Sequence, residues 1–392
     1  MTLVLLVGAA LLIRSAWLIQ HVDPGFDPRG VLTARVLLPG ERYPSGESIV
    51  RAFIAMREEA ARIPGVESTA LSSVVPLSGS RTSSSISAED RPRGEQDVDA
   101  NLRMVSDGYF RTMRIPLIAG RDVARTDGAE STPVVVVNTA LVRTLWPGVD
   151  PRDAIGRRIR AVPTRRTDLE NWQVVGVVGD LHDAALTERP VPEMYAPFAQ
   201  TTDAFWPYLG RSLVIVLRQP TLDGSVERLT RQLQRAITRV DASLPLADTK
   251  SMEDYLAGTL ATARLNTLLL STLGGIALVL AIVGIYGVVS YFVSQRTQEI
   301  GIRVALGSSP LAIWRLVVER GMRPVVVGIG VGVALSLVTS TLLRSQLFGV
   351  TARDPVTILA VGVLLVVVAV VAMYVPARRA MRVSPVVALT SS

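Results

Sequence analysis

The chain of 392 residues has no cysteine, two histidines and one lysine. Without cysteine there is no disulfide scaffold, thiol nucleophile, cysteine-ligated zinc or iron–sulfur cluster. With only His21 and His182, a histidine-rich metal site is excluded as well. A phosphate-binding loop needs Gly-x-x-x-x-Gly-Lys-Ser/Thr, so that backbone amides and the lysine hold the phosphates. The lone Lys250 precedes Ser251, but Leu244 and Thr249 stand where those glycines belong, so no ATPase motif is present. Charge is scarce too, at 19% of residues against about 25% in ordinary soluble domains. With a mean hydropathy of +0.37, the composition fits neither a soluble enzyme nor a disordered chain.

What is abundant is apolar, and it is segregated. Residues 22–263 carry 29 basic and 31 acidic side chains, whereas 264–392 carry 11 basic and 3 acidic. The net charge of +7 therefore lies beside the hydrophobic runs, a pattern of membrane topology and not of nucleic-acid binding. A membrane helix needs about 20 mostly apolar residues. Leu268–Val288, Pro324–Leu343 and Val356–Pro376 qualify, with Pro324 expected in the first turn of its helix. Met1–Ile19 is a fourth candidate, interrupted by Arg14, which is expected to snorkel to the interface. A signal peptide is the alternative, but no basic stretch precedes the run and no small-residue cleavage site follows it. The loop 296–323 and the tail after 376 are each +3, which places both in the cytoplasm and 22–263 outside. The chain thus reads as a first transmembrane helix (1–21), an extracytoplasmic domain (22–263) and a three-helix membrane domain (264–392), multi-pass with both termini cytoplasmic.

The extracytoplasmic part reads as α+β. Val31–Leu38 has a strand pattern, and Ile49, Phe53, Met56, Ala60 and Ile63 stripe a helix over Ser45–Ile63. Glu67–Val75 looks extended. The same order recurs as Ser212–Leu217, a helix striped by Val226, Leu229, Leu233, Ile237 and Val240, and a short strand near Leu244–Ala247. Two βαβ units of this kind can share one sheet. Between them, roughly 79–211, a mainly β insertion is expected. Pro133–Asn138 and Trp172–Val178 are its strands and Thr139–Leu145 is a short helix. Ser78–Ser87, Asp180–Pro192 and Gln200–Gly210 read as loops.

The cytoplasmic loop carries the most distinctive pattern. Glu299 and Arg303 are four apart in the favoured helical order. Ile300 and Val304 form an apolar face, Gly307 suits a helix end, and Ser309-Pro310 restarts a helix. Read from spacing alone, this is either an ordinary connecting loop or a surface helix that presses on a soluble partner. In the apolar spans, Gly328, Gly332 and Ser336 form a small-residue stripe, and Gly284 and Gly287 mark a second face for close helix approach. Charges are absent from the three firm spans, which argues against a hydrophilic path through them. No catalytic constellation stands out: Asp180-Leu-His182-Asp183 reads as a solvated turn, and the serines near 85 lack a base. No metal site or cofactor is expected.

The run Glu299-Ile-Gly301-Ile-Arg303-Val-Ala305-Leu306-Gly307 resembles the hallmark loop of MacB/FtsX-type permeases of ABC transporters. Residues Pro376–Leu389 resemble that family's ending. Ser106–Asp122, Val134–Asn138 and Leu145-Trp-Pro-Gly148 are similar to its periplasmic core domain. The layout of one helix, a large external domain and three helices matches as well. More narrowly, the chain resembles the second half of a duplicated orphan permease, in keeping with its abrupt beginning at Met1. Asp150–Gly156 departs from the family's tighter turn by an insertion. The resemblance implies a separate cytoplasmic ABC ATPase that receives the 299–307 helix, and a dimer of two copies or two paired halves. It also implies mechanotransmission of ATP-driven motion to the external domain, for export. The partners would be membrane lipids and an extracytoplasmic protein, with no nucleic acid. Two other readings stand beside it: an FtsX-like regulator of a cell-wall hydrolase, and a non-transporting receptor or scaffold fragment.

Overall fold

The structure, a computed structural model, describes residues 2–90, 97–161, 171–203, 205–220, 226–295, 306, 308–343 and 354–380. It divides into two compact units, Val22–Thr259 and the combination of Met1–His21 with Leu260–Ser392.

In chain order the elements are α1 (Thr2–Gln20), β1 (Val31–Leu37), α2 (Gly46–Ala61), β2 (Ser68–Ser72), β3 (Ser83–Ala88), β4 (Val98–Val105), α3 (Tyr109–Met113), β5 (Leu117–Gly120), β6 (Val134–Asn138) and α4 (Thr139–Leu145). There follow β7 (Arg158–Ala161), β8 (Trp172–Val178), β9 (Glu193–Pro197), β10 (Ser212–Arg218), α5 (Val226–Val240), β11 (Leu246–Ser251), α6 (Met252–Gln295), α7 (Pro310–Leu343) and α8 (Pro355–Ala380).

The α+β unit is built on a sheet ordered β11-β1-β10-β2. β10 is antiparallel to both β1 and β2, and β11 is antiparallel to β1, so each helix crosses over between parallel strands. Alternation along the strands divides the side chains between two faces. Leu32, Ala34, Val36, Leu213, Ile215 and Leu217 join the apolar stripes of α2 and α5 in one core. Val31, Val214 and Val216 face the other way and pack with Phe26, Tyr109, Phe110 and Met113. Ser45 caps α2: its hydroxyl accepts from the Ser48 amide, and the Ser48 hydroxyl returns a bond at the Ser45 backbone.

The insertion continues this sheet through one residue pair, Ser72 with Val105. Its strands then run β4-β3-β7-β8-β6-β9, and β9 returns to pair in parallel with β4, from Asn101 opposite Glu193 to Val105 opposite Pro197. The six strands thereby close into a ring whose members have no free edge between them. β5 adds to β8 outside the ring. The Ser78–Ser87 segment, expected as a loop, contributes β3. Its serines pair with β4 while Ile86, Ser87 and Ala88 are buried against β7, so neighbouring strands supply the order that the serines alone do not.

In the other unit, four helices among the described residues are long and apolar enough to cross a membrane, within Thr2–Gln20, Met252–Gln295, Trp314–Val338 and Pro355–Pro376. α7 begins at Pro310, so Pro324 lies inside the helix and not in its first turn. The polar stretch before it keeps helical order because Ser309 caps the true start, its hydroxyl and carbonyl accepting from the Ala312 amide at 3.3 and 3.0 Å. Arg14, about half exposed, pairs with Asp354 at the start of α8.

Candidate functional site

The loop between α6 and α7 is the first place to look. Leu306 is 81% exposed, Ser309 is exposed and Ser308 half-buried. Glu299, Ile300, Gly301, Arg303, Ala305 and Gly307 lie outside the described residues. The helices bordering the loop are locked together. Val289 and Val293 of α6, Val317 of α7 and Ala369 and Met373 of α8 form a buried cluster, with Trp314 packed against it. Gly321 permits this approach: a methyl group there would sit 2.9 Å from the Met373 sulfur and 3.2 Å from Val289 Cγ2.

The small residues behave differently from one another. A Cβ on Gly332 would lie 2.9 Å from Leu3 Cβ, so α1 and α7 touch there almost backbone to backbone. Ser336 is buried and donates to the Val333 carbonyl at 2.8 Å. At Gly284, Gly287 and Gly328 an added methyl meets nothing within 4 Å. Gly284 and Gly328 instead help line an apolar cavity of about 300 Å³ between α1, α6, α7 and α8.

Sequence reasoning passed over the Arg14–Asp354 pair. The signal was present in Asp354-Pro355-Val356-Thr357, a helix-start pattern. Asp354 accepts from the Thr357 amide at 3.1 Å and from its hydroxyl at 2.5 Å, which holds the carboxylate facing Arg14.

It also passed over a buried ionic cluster in the α+β unit. Arg103 on β4 is 2% exposed, Glu193 on β9 is fully buried, and Asp183 is 6% exposed. One Arg103 nitrogen donates to Asp183 Oδ1 at 2.5 Å and to Glu193 Oε1 at 3.3 Å, and the other donates to the Val74 carbonyl at 2.9 Å. Asn101 donates to Asp183 Oδ2 at 2.9 Å, and the Tyr195 hydroxyl donates to Glu193 Oε2. The 180–183 segment is thus no solvated turn. Asp180 accepts from the Ala140 amide at 2.6 Å and pairs with Arg143, while Asp183 is sealed against Arg103. Nothing in Asp-Leu-His-Asp foretells this, because the partner cation lies 80 residues away. Burial raises the Glu193 carboxyl to about 7 in spite of the nearby Arg103. Elsewhere burial tends to raise Asp27, but hydrogen bonds from Arg29 and Arg114 outweigh it and bring Asp27 to about 2.

With this geometry in view, the chain can be placed. Residues 19–235 match the MacB-like periplasmic core domain, and residues 271–385 match the FtsX-like permease C-terminal domain. The chain belongs to the MacB/FtsX-type permeases of ABC transporters. Among its relatives is the "Probable syringafactin export ATP-binding/permease protein SyfD" of Pseudomonas syringae pathovar tomato, 28% identical over 75% of this chain and 42% of that protein. Another is the macrolide export ATP-binding/permease protein MacB 1 of Yersinia pestis, 26% identical over 79% of this chain and 46% of that protein. The chain spans less than half the length of these relatives. The crystal structure of the periplasmic region of MacB from Actinobacillus actinomycetemcomitans aligns with 58% of this chain and 92% of that one, at 16% identity and a TM-score of 0.37.

Proposed function

We propose that this chain is the permease subunit of an ABC transporter in the bacterial cytoplasmic membrane, coupled to a separate ATPase. In this reading α1, α6, α7 and α8 cross the membrane, both termini are cytoplasmic, and 22–263 works outside. ATP binding and hydrolysis on the partner displace the helix at Glu299–Gly307. The packed cluster around Val289, Val317 and Met373 passes the displacement to the other helices. The external domain then moves and drives export or pulls on an extracytoplasmic protein. Gly287, where an added methyl meets nothing within 4 Å and which does not line the cavity that Gly284 and Gly328 border, would help receive a second unit, either another copy or a paired permease half. The observation that carries this reading is the joint presence, in one chain, of the periplasmic core match and the permease match.

The absence of native cysteine makes the test direct. A photocrosslinker on Ser308→Cys in native membranes should capture an ABC ATPase, identified by mass spectrometry. Capture of no ATPase from abundant, folded protein would refute the coupling and turn attention to a receptor or scaffold. An ATPase captured together with stable binding of a cell-wall hydrolase, and no export defect on deletion, would replace export by the regulatory reading.

A further inference from the structure

The buried ionic cluster is placed where it can do more than stabilise. β4 and β9 are the two strands whose pairing closes the ring, and the cluster lies along that closure. By register Asn101 faces Glu193 and Arg103 faces Tyr195 across the parallel pair, so all four side chains share one face of it. Arg103 also reaches the Val74 carbonyl, just past the end of β2. The ring joins the main sheet there by one ladder pair, reinforced by two serine hydroxyls that accept from the Leu71 and Met104 amides. Closure of the ring and its attachment to the sheet therefore meet at Arg103.

The charge balance at this point is uneven. One enclosed guanidinium serves two enclosed carboxylates. Arg81, from the segment before β3, approaches Asp183 at 3.7 Å but is largely in contact with solvent and shared with Glu188. From β9, Tyr195 faces Glu193; from α3, Tyr109 is packed close by; neither supplies a second cation. An anion pair enclosed with one cation is electrostatically costly in a medium from which water is excluded. Adding one proton to the less well-compensated carboxylate relieves that cost. Asp183 has the shorter Arg103 contact, the Asn101 amide at 2.9 Å and Arg81 around it, whereas Glu193 has the longer Arg103 contact, a neutral phenol and the neutral Asn101 across the strand pair.

We propose that the cluster is a proton-operated latch on the ring: with a proton on Glu193 the β4–β9 closure and its tie to β2 are tight, and without it they loosen. The elevated Glu193 value near 7 is consistent with this placement. The latch is a property of the α+β unit itself. Its use as a sensor of external acidity rests on the proposed extracytoplasmic location, and the experiment below reads the latch regardless of that location.

The sign follows from linkage. Glu193 holds its proton more tightly in the closed form than in the opened one, where a glutamate is near its ordinary value of about 4.3. Opening thus releases a proton between roughly pH 4.5 and 7, and its equilibrium constant rises by up to about tenfold per pH unit in that window, then levels off. The test uses the full chain in lipid nanodiscs from pH 5 to 8. Hydrogen exchange of peptides covering 98–105 and 193–197, corrected for intrinsic rates, should show protection falling towards pH 7 in the wild type. In Glu193→Gln that fall towards pH 7 should be lost, and any pH dependence that is left belongs to groups common to both proteins. Should Glu193→Gln fold poorly, Tyr195→Phe provides the second measurement. Removing the hydroxyl that favours the charged carboxylate should move the midpoint to higher pH. Parallel pH profiles for wild type and Glu193→Gln, or a midpoint unmoved in Tyr195→Phe, would overturn the proposal.

Discussion

Replacing Arg103 by methionine is expected to be among the most damaging single changes in the α+β unit. The methionine roughly fills the space of the aliphatic stem, but Asp183 and Glu193 are left facing one another without the guanidinium that bridges them. Removing one partner of a buried ionic cluster typically costs about 3–5 kcal/mol, because the remaining charge is both desolvated and unpaired. In a domain of this size about 1 kcal/mol corresponds to roughly 2–4 °C in Tm, so the transition should drop by about 6–20 °C. Trp146, Trp172 and Trp206 are buried in this unit and report its unfolding by fluorescence. Two further results separate this cause from simple loss of packing. Acidification from pH 7 to 5 should recover part of the loss, since Glu193, without the Arg103 charge that lowers its carboxyl, would take up a proton and lose its charge. The triple variant Arg103→Met, Asp183→Asn, Glu193→Gln should recover most of it, because no enclosed charge is left. A single variant within about 1 kcal/mol of wild type, or a triple variant no better than the single one, would refute the reasoning.

Three more expectations concern other parts of the molecule. Ser45→Ala removes the α2 cap and should cost about 1 kcal/mol, read as a small fall in the same fluorescence transition. Gly332→Val should push α1 away from α7 because the opposing atom, Leu3 Cβ, cannot swing aside; a loss of about 1–3 kcal/mol is expected, whereas Gly330→Ala, which meets nothing within 4 Å, should be tolerated. Arg14→Asp or Asp354→Arg alone should lower thermal stability in nanodiscs, and the double exchange should restore it; failure of the exchange to rescue would show that the pair does not hold α1 to α8.

Local periodicity carried the helices of the α+β unit. The stripe from Ile49 to Ile63 and that from Val226 to Val240 correspond to α2 and α5, and the short helix read at Thr139–Leu145 is α4, whose cap by the Asn138 side chain only the structure shows. Continuous valine runs likewise revealed β6, buried on both faces, and β8, buried except for the half-buried Gln173 and Val175. What escaped was set by distant partners. β3 is rich in serine and becomes a strand only between β4 and β7. The parallel β4–β9 pairing joins segments some ninety residues apart and has no local signature. Arg103 in Val-Asp-Ala-Asn-Leu-Arg-Met-Val looks like an outward polar position of an amphipathic strand, and only the tertiary structure covers that face. Pro324 was misplaced because hydropathy marks where the chain becomes apolar, whereas the helix begins where its amides are capped, at Ser309.

The two ends of the four-stranded sheet serve different neighbours. Val31, which follows the connection from α1, pairs with Arg218, and Ser251, which runs directly into α6, pairs with Leu32. Ser72 and Ser212, the points where the chain leaves for the ring and returns from it, lie at the opposite end, beside Val214 and Leu37. A pull on the helices resisted at the ring would therefore run lengthwise along β1 and β10, and their paired residues would be strained together in shear. Had both connections been at one end, the same bonds would open one after another like a zipper. Under the function proposed above, the sheet would serve as a tie bar, loaded in shear along its strands and not peeled apart.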